Sequence, residues 1–229
     1  MAVFDRFGSD YERAVEQAVA FAGQPHDVYI RAKAHKLLAL ARRHLRGDPR
    51  TVLDVGCGIG LLDRHLVGHV RSLHGVDPSE AMIERAREAV PVADYAVADG
   101  RTLPFDGGRF DLTFAICVLH HVADATDRLQ LLREMARVTR AGGLVVVFEH
   151  NPLNPLTRRV VRSCAFDEGV ELLARREVRA LLQQVGLEPT DAEYILFFPW
   201  RTRLVEALER RLAPVPLGAQ YVVAARRTA

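Results

Sequence analysis

The sequence predicts an α/β chain, a doubly wound and mostly parallel seven-stranded sheet with an N-terminal helical cap. Three observations carry this expectation. From residue 51 onward, short β-branched runs alternate with segments of helical periodicity, the pattern of a parallel sheet covered on both faces. The first run, Thr51-Val52-Leu53-Asp54-Val55, passes straight into the glycine turn Gly56-Cys57-Gly58-Ile59-Gly60. Acids fall at three successive strand ends, Asp54, Asp77 and Asp99. The 229 residues are 49% hydrophobic and 26% charged, which excludes a fibrous or mostly disordered chain and suits one large domain with a real core.

Each element has its own reason. Residues 9–22 and 26–46 read as helices, split by Gly23-Gln24-Pro25; in the second, Ile30, Ala34, Leu37, Leu38, Ala41 and Leu45 recur at spacings of three and four. Residues 1–48 are expected to form a cap that is not independent of the 49–229 domain. After the glycine turn, which should open a helix, strands are predicted at 71–76, 93–98, 110–118 and 143–149. Helices fall between them at 79–88, capped by Asp77-Pro78-Ser79, and at 125–139. Short helices at 154–164 and 175–185, a strand at 190–198, a helix at 201–212 and a strand at 219–226 complete the chain. The tight connector Ala213–Gly218 makes the last strand a candidate antiparallel partner.

Charge and cysteine content narrow the partners. Lys+Arg 31 against Asp+Glu 29 leaves +2, too little for a field that gathers nucleic acid or an acidic membrane. Lys33 and Lys36 are the only lysines among scattered arginines. The three cysteines, Cys57, Cys117 and Cys164, have no CxxC spacing and make no disulfide framework, so a reducing cytoplasm is expected. The N-terminal residues mix acids and bases without an apolar core, unlike a secretory leader. No apolar run approaches the ~20 residues that span a bilayer, so no stable membrane insertion is expected.

The glycine turn is the most informative motif. Glycines permit torsions and close backbone approach that a Cβ would forbid, and the free N–H groups of such a turn face a ligand of anionic character. Asp77, ending the next strand, stands where a ribose diol would meet a carboxylate. A dinucleotide site is the rival. Its G-x-G-x-x-G/A fingerprint fails here at Leu61, and Asp54 would repel the pyrophosphate. A ligand with a sulfonium and an amino group tolerates Asp54.

The segment Asp54-Val55-Gly56-Cys57-Gly58-Ile59-Gly60 resembles motif I of the class I S-adenosylmethionine-dependent methyltransferases, and the whole is similar to their Rossmann-like fold. Later pieces fall in order: His74–Ser79, Ala98-Asp99-Gly100 with Leu103-Pro104-Phe105, Phe110–Thr113 through Leu119–Val122, and Leu132–Met135 through Gly142-Gly143. The subgroup most resembled is that of the small-molecule, ubiquinone/menaquinone-methyltransferase-like enzymes (methyltransferase domain 11), over about residues 50–150. The resemblance implies S-adenosylmethionine as cofactor and S-adenosylhomocysteine as product. It implies that Gly56, Cys57, Gly58 and Gly60 line the amino-acid end, with Asp54 near its amino group. Asp77 would take the ribose hydroxyls, Pro78 and Met82 would lie against ribose or adenine, and Asp99, with Ala98 and Gly100, would meet the adenine amino group. Ile116 and Cys117 would pass under the methionine part. Tyr11 and Tyr29 are candidates to close over the cofactor.

The acceptor is expected to be a small molecule methylated most readily at oxygen, with carbon and nitrogen open. An alcohol or phenol must lose a proton, so His120, His121 and His150 are the candidate bases, set against packed, merely hydrogen-bonded rings. Glu149 is a candidate to orient His150. Cys117 is weighed as a nucleophile and read instead as an inert buried thiol. Asn151-Pro152-Leu153-Asn154-Pro155 reads as a turn, and Arg158, Arg159 and Arg162 as a solvated face or an acidic-group contact. No cluster has metal-ligand spacing, so no metal is expected. Residues 195–200, with Phe4, Phe7 and Tyr11, are candidates for an apolar wall, and 201–212 reads as an amphipathic helix covering the sheet. A monomer or homodimer is expected. Two other classes stay open: a fold member that binds S-adenosylmethionine without net methyl transfer, and a non-catalytic binding module.

Overall fold

In the computed structural model the described residues are 25–228, apart from 46, 165, 166, 168, 199 and 201. The expected helix over 9–22, with Phe4, Phe7 and Tyr11, lies outside them. Among the described residues seven strands form one sheet: β1 Thr51–Val55, β2 Ser72–Asp77, β3 Asp94–Val97, β4 Phe110–Ile116, β5 Thr139–His150, β6 Leu187–Ile195 and β7 Gln220–Arg227. Their spatial order is β3-β2-β1-β4-β5-β7-β6. All pairings are parallel except those of β7, which runs antiparallel to both β5 and β6. The order reverses between β1 and β4, so a crevice opens at the carboxyl ends of these two strands, where doubly wound sheets bind ligands.

Six α-helices among the described residues cover the faces: α1 His26–Leu45, α2 Glu80–Ala89, α3 Ala125–Val138, α4 Pro155–Ser163, α5 Arg175–Gln184 and α6 Arg203–Leu212. Ser79, Asp124 and Asn154 cap α2, α3 and α4 by accepting backbone N–H groups of the first turn. The stripe Ile30, Ala34, Leu37, Leu38 and Ala41 of α1 joins Val52, Phe114, Val146, Phe148 and Val222 in one core cluster. On the other face Leu131, Leu132 and Met135 of α3 and Val178 and Leu182 of α5 pack with Leu53, Val145, Val147 and Tyr221. Ion pairs from Lys36 to Glu193 (2.5 Å), from Arg43 to Asp191 (2.7 Å) and from His44 to Asp191 tie α1 to the edge strand β6. Helix α1 is therefore built into one face of the sheet, and only its first turns reach the crevice.

Four expectations shift. No α-helix follows the glycine turn: residues 56–71 form consecutive turns and one 3₁₀ helix, Asp63–His65. Leu62 and Leu66 have helical spacing, but Asp63 between them is drawn fully inside by the Tyr95 hydroxyl (2.7 Å). The fourth strand stops at Ile116, because Cys117 takes a positive φ of 56°, and His120-His121 lie in a 3₁₀ helix, Leu119–His121. The fifth strand begins at Thr139, directly at the end of α3. Helix α6 leaves Leu204 and Leu208 exposed, so it does not lay its apolar face on the sheet. No helix among the described residues is long and apolar enough to cross a membrane.

Gly75 marks the tightest spot between β2 and β3. A Cβ there would stand 2.5 Å from the Tyr95 ring and 3.0 Å from Cys57 Sγ. Gly75→Ala is expected to lower unfolding free energy by roughly 1–3 kcal/mol in urea titrations, the usual cost of overpacking; an unchanged midpoint would show that the ring has room to move.

Candidate active site

The crevice at the reversal is a single cavity of about 1130 Å³. One part is backbone. Gly56 and Cys57 donate their N–H groups to the Val76 carbonyl (2.7 and 3.0 Å), and Gly58 N–H donates to Asp77 Oδ2 (2.9 Å). Asp77 Oδ1 accepts from Ser79 N–H (3.0 Å). The end of β2 thus holds the glycine turn in shape. Gly56 (φ +77°) is required because Val118 Cγ2 would lie 2.5 Å from its Cβ. Gly58 (φ +52°) has nothing within 4 Å of its missing side chain, so its open face belongs to the cavity.

Asp54, Gly56, Cys57, Gly58, Asp77, Pro78, Met82, Ala98, Asp99, Gly100, Ile116 and Cys117 all line this one cavity, as does Tyr29. Gly60 does not: a Cβ on it would stand 2.9 Å from the Tyr95 hydroxyl, and its role is packing. Asp99 is exposed and accepts from Arg101 N–H (2.9 Å). Asp54 is buried against Asp63, and the two carboxyls share a hydrogen bond that needs one proton between them. Burial first, then Asp63 and Asp77, raise Asp54 well above the carboxylate range, and burial raises Asp63 to about 6. Burial likewise pushes the Cys117 thiol up to about 12, which fits an inert thiol.

The opposite end of the cavity holds the histidines. His120 and His121 stack at 4.1 Å between ring centroids, and His150, the last residue of β5, lies 5.3 Å from His120. Glu149 is wholly buried: Oε1 accepts from Leu119 N–H (2.7 Å) and Oε2 from His120 Nδ1–H (2.6 Å). Asp167 lies 3.6 Å from His120 Nε2 and 3.3 Å from His121 Nε2. Burial pulls His120 down, but the two carboxylates outweigh it and raise this imidazole to about 10. Burial, and then the charge on His120, lower His121 and His150 to about 4. Burial and one imidazolium together lower the proton affinity of the two neighbours. Glu149 orients His120, not His150; His150 Nδ1 is 3.4 Å from the Gln220 amide instead.

Sequence spacing showed no metal motif, yet the fold brings ligand atoms of His120, His150 and Asp167 within 4.8 Å of one another. Three elements distant in the chain supply them, which no local pattern reveals. The Asn-Pro run is structural: Asn151 and Asn154 donate to carbonyls of Pro216, Leu217 and Gly218, tying α4 to the last connector. Arg158, Arg159 and Arg162 line a separate surface groove. Leu196, Phe197 and Phe198 line the cavity, while Trp200 is exposed and does not.

Residues 53–147 match the family model described as a methyltransferase domain. That segment is similar to a methyltransferase domain. It takes in β1 and the glycine turn and extends through most of β5. The chain is 31% identical, over 72% of its length, to 27-O-demethylrifamycin SV methyltransferase of Amycolatopsis mediterranei, and spans 64% of that relative. It therefore covers less than two thirds of this curated relative. An S-adenosylmethionine-dependent methyltransferase of Mesorhizobium loti superposes with a TM-score of 0.58 at 26% identity, over 79% of this chain and 92% of that one. A SAM-dependent methyltransferase of Thermotoga maritima superposes at 0.68 over 98% of both chains, at 20% identity, and shares the fold.

The methyl donor of such domains is S-adenosylmethionine, and the residues here fit it. The open face of Gly58 leaves room for a backbone-hugging amino-acid chain. Asp77 stands at the end of β2 beside this turn and lines the same cavity. Asp54 Oδ1 and Asp63 Oδ1 are both buried with no other donor, which fits the proton shared between the two carboxyls. Asp63, Lys33, Asp167 and Gln220 escaped sequence reasoning; only Lys33 carried a signal, as one of two lysines in an arginine-rich chain.

The Asp54–Asp63–Tyr95 chain makes a prediction. Asp63→Asn keeps a donor for Asp54 and an acceptor for Tyr95, and is expected to change stability by under about 1 kcal/mol. Asp63→Leu strands both partners and is expected to cost roughly 1–3 kcal/mol. Equal urea midpoints for the two variants would contradict the shared-proton pair.

Proposed function

We propose that the protein transfers a methyl group from S-adenosylmethionine to a hydroxyl oxygen of a small molecule. The observation that carries this reading is one cavity with two chemically distinct ends: a glycine turn braced by Asp77, and a neutral histidine beside a carboxylate. The rifamycin relative, named for methyl transfer at an oxygen, supports the choice of atom. When bound, S-adenosylmethionine supplies a methyl already activated on a sulfonium, so the protein contributes alignment, dryness and removal of a proton.

The chain's residues divide these tasks. Gly58 and Asp77 hold the donor end, and Leu61, Val118, Val122, Leu131 and Phe197 provide apolar wall that excludes water. His121 is the proton acceptor. Asp167 Oδ1 lies 3.3 Å from its Nε2, and a proton held on that nitrogen sets the tautomer in which Nδ1 is the basic atom. His120 is unsuited to this task, because Glu149 and Asp167 keep it charged. His150 faces the Gln220 amide through Nδ1 and is better placed to hold the acceptor than to deprotonate it.

The test is release of S-adenosylhomocysteine in the presence of hydroxyl-bearing acceptors. His121→Gln is expected to reduce turnover by about 100-fold or more while leaving S-adenosylhomocysteine affinity within about twofold. Unchanged turnover would remove His121 from the mechanism. The active form has neutral His121, so kcat/KM is expected to stay level from pH 8 down through 6 and to fall only as pH approaches about 4. A limb centred near 6.5 would mean that the base sits outside the field of His120.

A further inference from the structure

The cavity contains a lysine that makes no ion pair among the described residues. Lys33, on the first half of α1, is only 5% exposed and lines the cavity, and its ammonium makes no hydrogen bond or ion pair among the described residues. A lysine buried to this degree normally has a partner, since desolvating an unpaired charge is costly. Burial, the largest influence, lowers its proton affinity; Cys117, Glu149 and Asp54 act against that, and none of the three makes an ion pair with it. Both oxygens of Glu149 are already committed, to Leu119 N–H and to the His120 imidazolium. Asp54 shares the proton of the Asp63 pair, and the Cys117 thiol stays protonated. Lys36, three residues on and one turn further, has its partner in Glu193.

We propose that Lys33 is an anion subsite of the cavity, which receives an acidic oxygen of the bound ligand and makes this enzyme one for acceptors with an ionisable hydroxyl, a phenol or an enol. The proposal rests on the methyl-transfer reading and deepens it. The groups around Lys33 belong mainly to the histidine end: Cys117 and Glu149 precede Asp54 among the charges that act on it, and Lys33 in turn lowers His150. An acceptor hydroxyl that loses its proton at the histidine end becomes an oxyanion, and the Lys33 ammonium lines the same cavity to hold it; no further reactant is needed. The same anionic oxygen has a second source in the carboxylate of the cofactor's own amino-acid end, near Asp54.

The experiment separates the two sources. The probe for the acceptor is 4-nitrophenol, whose anion absorbs visible light, added to protein saturated with S-adenosylhomocysteine. Wild type is expected to increase the ionisation constant of the bound probe at least tenfold, and Lys33→Met and Lys33→Gln to abolish the increase without loss of thermal stability. Alongside it, S-adenosylhomocysteine and 5′-methylthioadenosine, which lacks the amino-acid end, are titrated calorimetrically. A loss of affinity of tenfold or more in the variants for the first ligand alone assigns the subsite to the cofactor carboxylate and overturns the phenol or enol specificity. Equal probe ionisation and equal affinities in wild type and variants overturn the subsite altogether. Failure of wild type to bind S-adenosylhomocysteine strikes the methyl-transfer reading instead, which keeps the two failures apart.

Discussion

The end of β2 is what the rest of this site is hung on. The Val76 carbonyl accepts two consecutive N–H groups of the glycine turn, and the Asp77 carboxylate accepts a third from Gly58 and a fourth from Ser79. Four donors converging on two adjacent residues fix the turn without an α-helix behind it. They also fix where α2 starts, since Ser79 is its cap. Tyr95 on β3 then fills the space over Gly75 and beside Gly60, and its hydroxyl pins Asp63 against Asp54. Backbone pairing, two glycines and one aromatic ring thus form a continuous chain from the sheet to the cavity wall.

The second constraint is electrostatic, and lies at the far end of the same cavity. Five ionisable groups, Glu149, His120, His121, His150 and Asp167, sit in contact in a largely dry space. Such a cluster is stable only if charges alternate and remaining groups stay neutral. Here two carboxylates raise His120, and burial, with the charge on His120 added to it, lowers its histidine neighbours. The arrangement separates environments that the amino-acid types alone leave identical: the carboxylates raise one histidine, and burial lowers the other two.

The parallel sheet, its glycine turn and the acids at strand ends were legible because they follow from local rules: short continuous β-branched runs, torsions that favour glycine, capping residues before helices. The antiparallel β7 was legible from the short connector at 213–218. What stayed hidden depends on contacts far apart in the chain. Asp63 reads as one more charge on a helix, and only Tyr95, 32 residues on, makes it a buried acid. Asp167 comes from an irregular segment after α4 and meets His121 only through the fold. Gly60 belongs to the motif by spacing, yet in the fold it serves packing against Tyr95. His120-His121 read as a strand end because apolar residues run up to them, whereas the positive φ of Cys117 ends the strand earlier.

The central claim is that the glycine turn and Asp77 form a site for S-adenosylmethionine. Calorimetric titration of the purified protein with S-adenosylhomocysteine, with NAD as control, tests it most directly. Binding of S-adenosylhomocysteine in the micromolar range, weakened roughly 10–100-fold in Asp77→Ala and absent for NAD, is the predicted result. Binding of NAD, or no binding of S-adenosylhomocysteine by a folded protein, would contradict it.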